Sequence, residues 1–166
     1  MTVHGLTTSM TARAAREAAL GAGGVVKLVT AGELESWELD EIHAISPNLV
    51  LLAGGVDHGE KAIVLKNAEK LAALVAGGLR VPVLYAGNAA LRRPVTEIFR
   101  LAGVELHVAQ NVFPDVDVLN VDPLRRLVHE AFNRHIVHAP GMQRLAGLTR
   151  HEVLPTPGAV DRKSVV

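Results

Sequence analysis

The chain has no cysteine. That absence excludes a disulfide framework and any thiolate metal site, and it suits a reducing compartment, so a cytoplasmic location is the expectation. Aromatic side chains are scarce, at 3% of 166 residues. The 49% of hydrophobic residues must therefore build a core from Ala, Val and Leu packed closely. No apolar run approaches the roughly 20 residues that a membrane-spanning helix needs. The opening MTVHGLTTSMTARAAREAAL also lacks the charged-then-apolar pattern of a secretory signal. Lys+Arg and Asp+Glu each number 17, and no block of like charge stands out. The chain thus has no electrostatic footprint for nucleic acid or for an anionic membrane.

What is present is an alternation of short apolar runs and helical patterns, organised around Asn48 to Glu60, NLVLLAGGVDHGE. Leu49 to Ala53 is uninterruptedly apolar, as a strand covered on both faces of a parallel sheet is. It breaks into a glycine turn at Gly54 and Gly55 that carries Asp57 and His58. Four other runs read as strands: Thr2–Leu6, Val25–Val29, Val81–Ala86 and Val104–Ala109, the last alternating as VELHVA and so placed at a sheet edge. Helices follow each one. The first is TARAAREAAL, with Ser9 or Thr11 as its cap. The second starts near Ser36, places Leu39, Ile42 and Ile45 on one side, and stops before Pro47. The third carries Val64, Ala68, Leu71 and Val75 at helical spacing and stops at Gly77-Gly78. The fourth runs from Leu91 to Ala102, and the fifth is announced by Asp122 and Pro123.

This order predicts a three-layer α/β domain with a mostly parallel five-stranded sheet, Rossmann-like or flavodoxin-like, over residues 1–139. Strand order 2-1-3-4-5 is expected because it puts the two most apolar strands inside; order 3-2-1-4-5 stays open. From Pro140 the pattern loosens into proline- and glycine-punctuated sequence, read as an exit segment over 140–160.

In such a sheet the outgoing loops share one edge, which is expected to gather Thr7, Thr8, Thr30, Gly54, Gly55, Asp57, His58, Gly87, Asn88 and Asn111. These residue types suit a small ligand or a partner. They are equally the ordinary residues of turns and caps. A catalytic reading of Asp57 with His58 has no G-x-S-x-G nucleophile motif beside it. His135 and His138 could share a helix face as metal ligands but lack a third ligand at motif spacing, so no metal site is expected. The Gly-x-Gly-x-x-Gly and Walker A patterns are absent, and the glycines of Gly21 to Gly24 end a helix where a phosphate cradle opens one. The cobalamin-binding spacing of Asp, one residue, His, two residues, Gly is not met by Asp57-His58-Gly59.

Taken together, PNLVLLAGGVDHGEKAIVLKNAEKLA, VPVLYAGNAA, QNVFPDVDVLNVDPLR and LPTPGAV resemble the glutamate mutase-associated MutL-like (GlmL) family, in order and over nearly the whole chain. The resemblance implies a relative of actin-like ATPases, a chaperone that uses ATP and magnesium to reactivate an adenosylcobalamin-dependent mutase by exchanging damaged cofactor. The partner it implies is the mutase subunit, with no nucleic acid and no membrane.

Two departures stand out. The family typically reads GGTDGGN where this chain has Gly54-Gly55-Val56-Asp57-His58-Gly59-Glu60. The family's phosphate motifs, Asp-x-Gly-Ser-Thr near the start and Asp-x-Gly-Gly-Ala-Thr after the PTP segment, have no counterpart. The chain is therefore expected to be a middle portion, without a cofactor or catalysis of its own, whose 140–160 segment leads toward a missing ATPase lobe. Asp161 to Val166, DRKSVV, back-translates to a common sequencing-adapter sequence and is expected to be a non-native tail. Two alternatives remain: a freestanding domain binding a nucleotide or a cobalamin-related molecule on these loops, and a hydrolase using Asp57 and His58.

Overall fold

The computed structural model describes residues 1–136. The segments 140–160 and 161–166 lie outside the described residues, as does His138, and the His135 side chain is likewise not described.

Five strands form one parallel sheet: β1 (Thr2–Gly5), β2 (Leu28–Ala31), β3 (Val50–Leu52), β4 (Val83–Tyr85) and β5 (Leu106–Val108). Their order is β2-β1-β3-β4-β5, the expected 2-1-3-4-5 arrangement, with β5 at an edge. Helices α1 (Arg13–Gly21), α2 (Ser36–Ile45), α3 (Ala62–Leu74), α4 (Arg92–Leu101) and α5 (Asp122–Ile136) cover both faces.

The side-chain period of two divides the strands between two cores. Val3, Leu51 and Leu84 face α1 and α5, where Ala14, Ala15, Ala18 and Ala19 meet Leu124, Val128 and Ala131. Val50, Leu52, Val83 and Tyr85 face α2, α3 and α4, where Ile42, Leu71, Val95 and Phe99 close the layer. Each fully buried Val, Leu or Phe contributes about 1.5–3 kcal/mol. Few aromatics are needed because the alanine face of α1 lets that helix approach closely.

Several element ends differ from the sequence reading. The cap of the first helix is Thr7: its hydroxyl accepts from Thr11 N at 3.5 Å at the start of a π-helical turn, Thr8–Ala12, that runs into α1. Thr11 instead turns back, its Oγ1 accepting from Leu6 N at 2.8 Å and Thr7 N at 3.0 Å. Helix α2 starts with a capping box in which Glu35 N donates to Glu38 Oε2 at 2.8 Å, and it ends on Ser46 at φ 46° before Pro47. On that helix Ile42 is fully buried while Leu39 and Ile45 are only half-buried.

Strand β2 begins three residues later than expected, leaving Val25 71% exposed. The reason lies in β1. His4 is completely buried, and its register partner is Thr30. Thr30 Oγ1 lies 2.8 Å from His4 Nδ1, and Thr2 Oγ1 lies 2.9 Å from Nε2. One ring nitrogen donates and the other accepts, so a neutral imidazole is satisfied at both ends. A slip of one residue would carry Thr30 to the opposite face and leave a buried nitrogen without a partner.

Burial holds the His4 pKa down to about 3, against an ordinary 6.5. Below pH 6.5 the unfolded chain takes up a proton at His4 that the folded chain refuses. Stability therefore falls as the pH drops from about 6.5 toward 3, by at most about 1.4 kcal/mol per pH unit from this residue. In urea unfolding followed by circular dichroism, His4→Gln is expected to lower stability at pH 7. It should also remove about 2 kcal/mol of the further loss seen on going to pH 5. An unchanged difference between pH 7 and pH 5 would exclude His4 as the source.

Candidate functional site

The turns leaving β3, β4 and β5 meet at the C-terminal edge of the sheet and are knitted into one another. Asn88, fully buried, is the hub. Its N–H donates to Gly54 O at 2.9 Å. Its Oδ1 accepts from His58 N at 2.9 Å and from Ala90 N at 3.0 Å, and its Nδ2 donates to Glu60 O at 3.2 Å. Its own carbonyl accepts from the Tyr85 hydroxyl at 2.9 Å. Every polar atom of the residue is thereby used.

Asn111 and Asp57 complete the network. The Asn111 Nδ2 donates to Gly55 O at 3.0 Å and to Asp57 Oδ1 at 2.9 Å, while its Oδ1 accepts from Phe113 N at 3.1 Å. Asp57 Oδ1 also accepts from Ala89 N at 2.7 Å, and Asp57 N donates to Pro114 O at 2.9 Å. One carboxylate thus ties the β4 turn to the β5 turn from a base in the β3 turn. Burial raises the Tyr85 phenol above its ordinary pKa, opposed by Arg92 and reinforced by Asp57, so the hydroxyl stays a donor.

Two glycines permit this closeness. Gly55 sits at φ 69°. A Cβ on Gly87 would meet Gly54 N and Gly54 O at 2.8 Å, so the β3 and β4 turns touch backbone to backbone.

Of the residues named from the sequence, Gly54, Gly55, Asp57, His58, Gly87, Asn88 and Asn111 are brought together here. Thr7 and Thr8 are exposed at the end of β1, in the π turn. Thr30 is not on the outgoing loop: it lies within β2, and its hydroxyl is held by His4. The backbone N–H groups of His58, Ala89 and Ala90, which could face an anion, all end on side-chain oxygens. Glu60 Oε1 accepts from Ile63 N at 2.8 Å at the start of α3, so a carboxylate already occupies that helix terminus. His58 is exposed at φ 63°, and its bond to the network is through the backbone. No hydrogen bond joins its ring to Asp57 among the described residues, which also hold no group of three potential metal ligands.

Sequence reasoning missed how Asp57, Asn88 and Asn111 bond the three turns together. The available signal was one Asp or Asn on each of three successive outgoing turns. It also missed Tyr85, the single tyrosine, at the end of β4. A concavity of about 310 Å³ lies at the opposite edge of the sheet, where Pro47, His129 and Phe132 contribute to its lining.

Asp57→Ala leaves Ala89 N without its acceptor and the Asn111 amide with Gly55 O alone, and is expected to cost about 1–3 kcal/mol in urea unfolding. At position 58 the left-handed backbone sets a different order. His58→Gly should change stability by less than about 1 kcal/mol, whereas the β-branched His58→Val should lose about 1–2 kcal/mol. Equal effects of the two replacements would show that the backbone conformation at 58 is not constraining.

The comparisons with known proteins agree with one another. "Protein MutL" of Clostridium tetanomorphum is 39% identical over 160 residues, covering 96% of this chain and 34% of that protein. The chain thus spans about a third of the length of that curated relative. No solved structure matches it. The sequence pattern of the family described as MutL protein matches residues 1–165, and the chain belongs to that family.

Proposed function

We propose that this chain is a non-catalytic α/β segment of an ATP-dependent chaperone that reactivates an adenosylcobalamin-dependent mutase of the glutamate mutase or aminomutase type. Membership of the MutL protein family supports the chaperone assignment. The observation that carries the non-catalytic reading is the closed network at the sheet edge. Asp57 Oδ1 and the side-chain polar atoms of Asn88 and Asn111 are spent on neighbouring backbone and on the Asp57–Asn111 bond, where a nucleotide site would leave donors facing an open cleft. The phosphate motifs expected of an actin-like ATPase are absent from this sequence. ATP and magnesium are accordingly assigned to parts of the longer protein beyond these residues.

In this reading the three turns form a rigid platform. Its work is mechanical: it holds the sheet edge in one shape, so that a change elsewhere in the longer protein is transmitted to the mutase as a displacement of a rigid body.

Calorimetric titration of the chain with MgATP and with adenosylcobalamin is expected to give no saturable heat, and no phosphate should be released from ATP. Added in excess to a reaction in which a full-length family member reactivates its mutase, the chain should slow recovery by competing for the mutase. Saturable nucleotide or cobalamin binding that Asp57→Ala abolishes would replace this reading with a freestanding ligand-binding domain. Failure of the full-length protein to restore any mutase activity would remove the chaperone assignment itself.

A further inference from the structure

Strand β5 leaves one side of the sheet open. In its parallel register with β4, Glu105 and Ala109 turn their backbone toward β4, with Val83 N donating to Glu105 O at 2.9 Å and Ala109 N donating to Tyr85 O at 2.8 Å. The intervening alternation turns the N–H and C=O groups of Leu106 and Val108 outward. A groove runs along each face beside this edge, and both reach Val108, which is 40% exposed. On the α4 side a groove of about 610 Å³ is lined by Arg92, Arg93 and Thr96. On the α5 side a groove of about 420 Å³ is lined by Pro123 and Leu127 together with Gln110, Arg126 and Glu130.

The charges in the first groove are unbalanced. Glu97, the acid there, is already held by Arg100 through contacts of 2.8 and 2.6 Å. Arg92 and Arg93 have no carboxylate partner among the described residues, and Arg92 Nε is buried without an acceptor. Both cations also lie at the start of α4, the end of a helix where positive charge is unfavourable. An arriving carboxylate would offset that cost.

We propose that β5 is a strand-addition site for an extended acidic segment of a partner polypeptide. The segment extends the sheet through the outward groups of Leu106 and Val108. Its alternate side chains fall into the two grooves: carboxylates toward Arg92 and Arg93, apolar side chains toward Pro123 and Leu127. The unpaired arginines on the α4 side call for carboxylates on that face of the segment, whereas on the α5 side Arg126 and Glu130 balance each other's charge and leave Pro123 and Leu127 to receive apolar side chains.

The test uses the full chain and a fluorescein-labelled peptide of alternating glutamate and valine, with alternating lysine and valine as the control, read by fluorescence anisotropy. The glutamate peptide is expected to bind saturably, and more weakly as salt rises. Arg93→Glu should weaken it about tenfold or more. Val108→Pro, which removes an outward donor, should abolish binding while circular dichroism reports an intact fold. Arg93→Glu carries the test if the proline variant fails to fold. Equal binding of both peptides, or of neither, overturns the proposal. So does sedimentation showing that the chain self-associates through this edge, because a second copy would then be the occupant.

Discussion

The sheet edge depends on one carboxylate and two carboxamides placed where three turns converge. Asp57 accepts from the β4 turn and from Asn111 of the β5 turn, while the buried Asn88 returns hydrogen bonds to the β3 turn and to its own helix start. Turns are usually the mobile part of an α/β domain because their backbone groups bond to water. Here those groups are paired inside the protein. Removing a single partner strands several donors at once, so the edge behaves as one cooperative unit.

The face covered by α2, α3 and α4 contains the polar exceptions in an otherwise aliphatic interior. His4 is bracketed by Thr2 and Thr30, and Tyr85 donates its hydroxyl to the carbonyl of Asn88. Each fixes something that apolar contacts leave loose. The imidazole selects the register of β2 against β1, which two overlapping apolar runs would otherwise permit to slide. The phenol anchors the β4 turn from below, connecting the core to the network at the edge.

The strand count, the parallel alternation, the order 2-1-3-4-5 and the edge position of β5 were legible in the sequence because they follow from apolar run lengths and turn residues. Hydrogen bonds between residues far apart in the chain were not. Asn88 and His58 are 30 residues apart, and Asp57 and Asn111 are 54 apart. Nothing in a local pattern distinguishes an Asn that caps its own turn from one that grips another. The start of β2 was misread for the same reason: Val25-Val26-Lys27-Leu28-Val29 has strand character throughout, and the choice is made by His4 on another strand. The helix cap moved to Thr7 because Thr11 bonds backward. Hydroxyls so closely spaced offer several caps of similar propensity.

Two of the three departures from the GGTDGGN pattern, those at 58 and 60, become intelligible on this geometry. Position 58 is left-handed, the backbone state that glycine adopts freely, and His58 retains it with its backbone N–H on Asn88 and its ring in solvent. Position 60 sits just before α3, where Glu60 accepts from Ile63 N. A carboxylate there is favourable toward the helix terminus and repulsive toward a phosphate. Were this loop a phosphate cradle, exchanging an amide for an acid would oppose its purpose. As the foot of a helix in a rigid platform, the same exchange strengthens the cap, and the platform reading accommodates both departures without further assumptions.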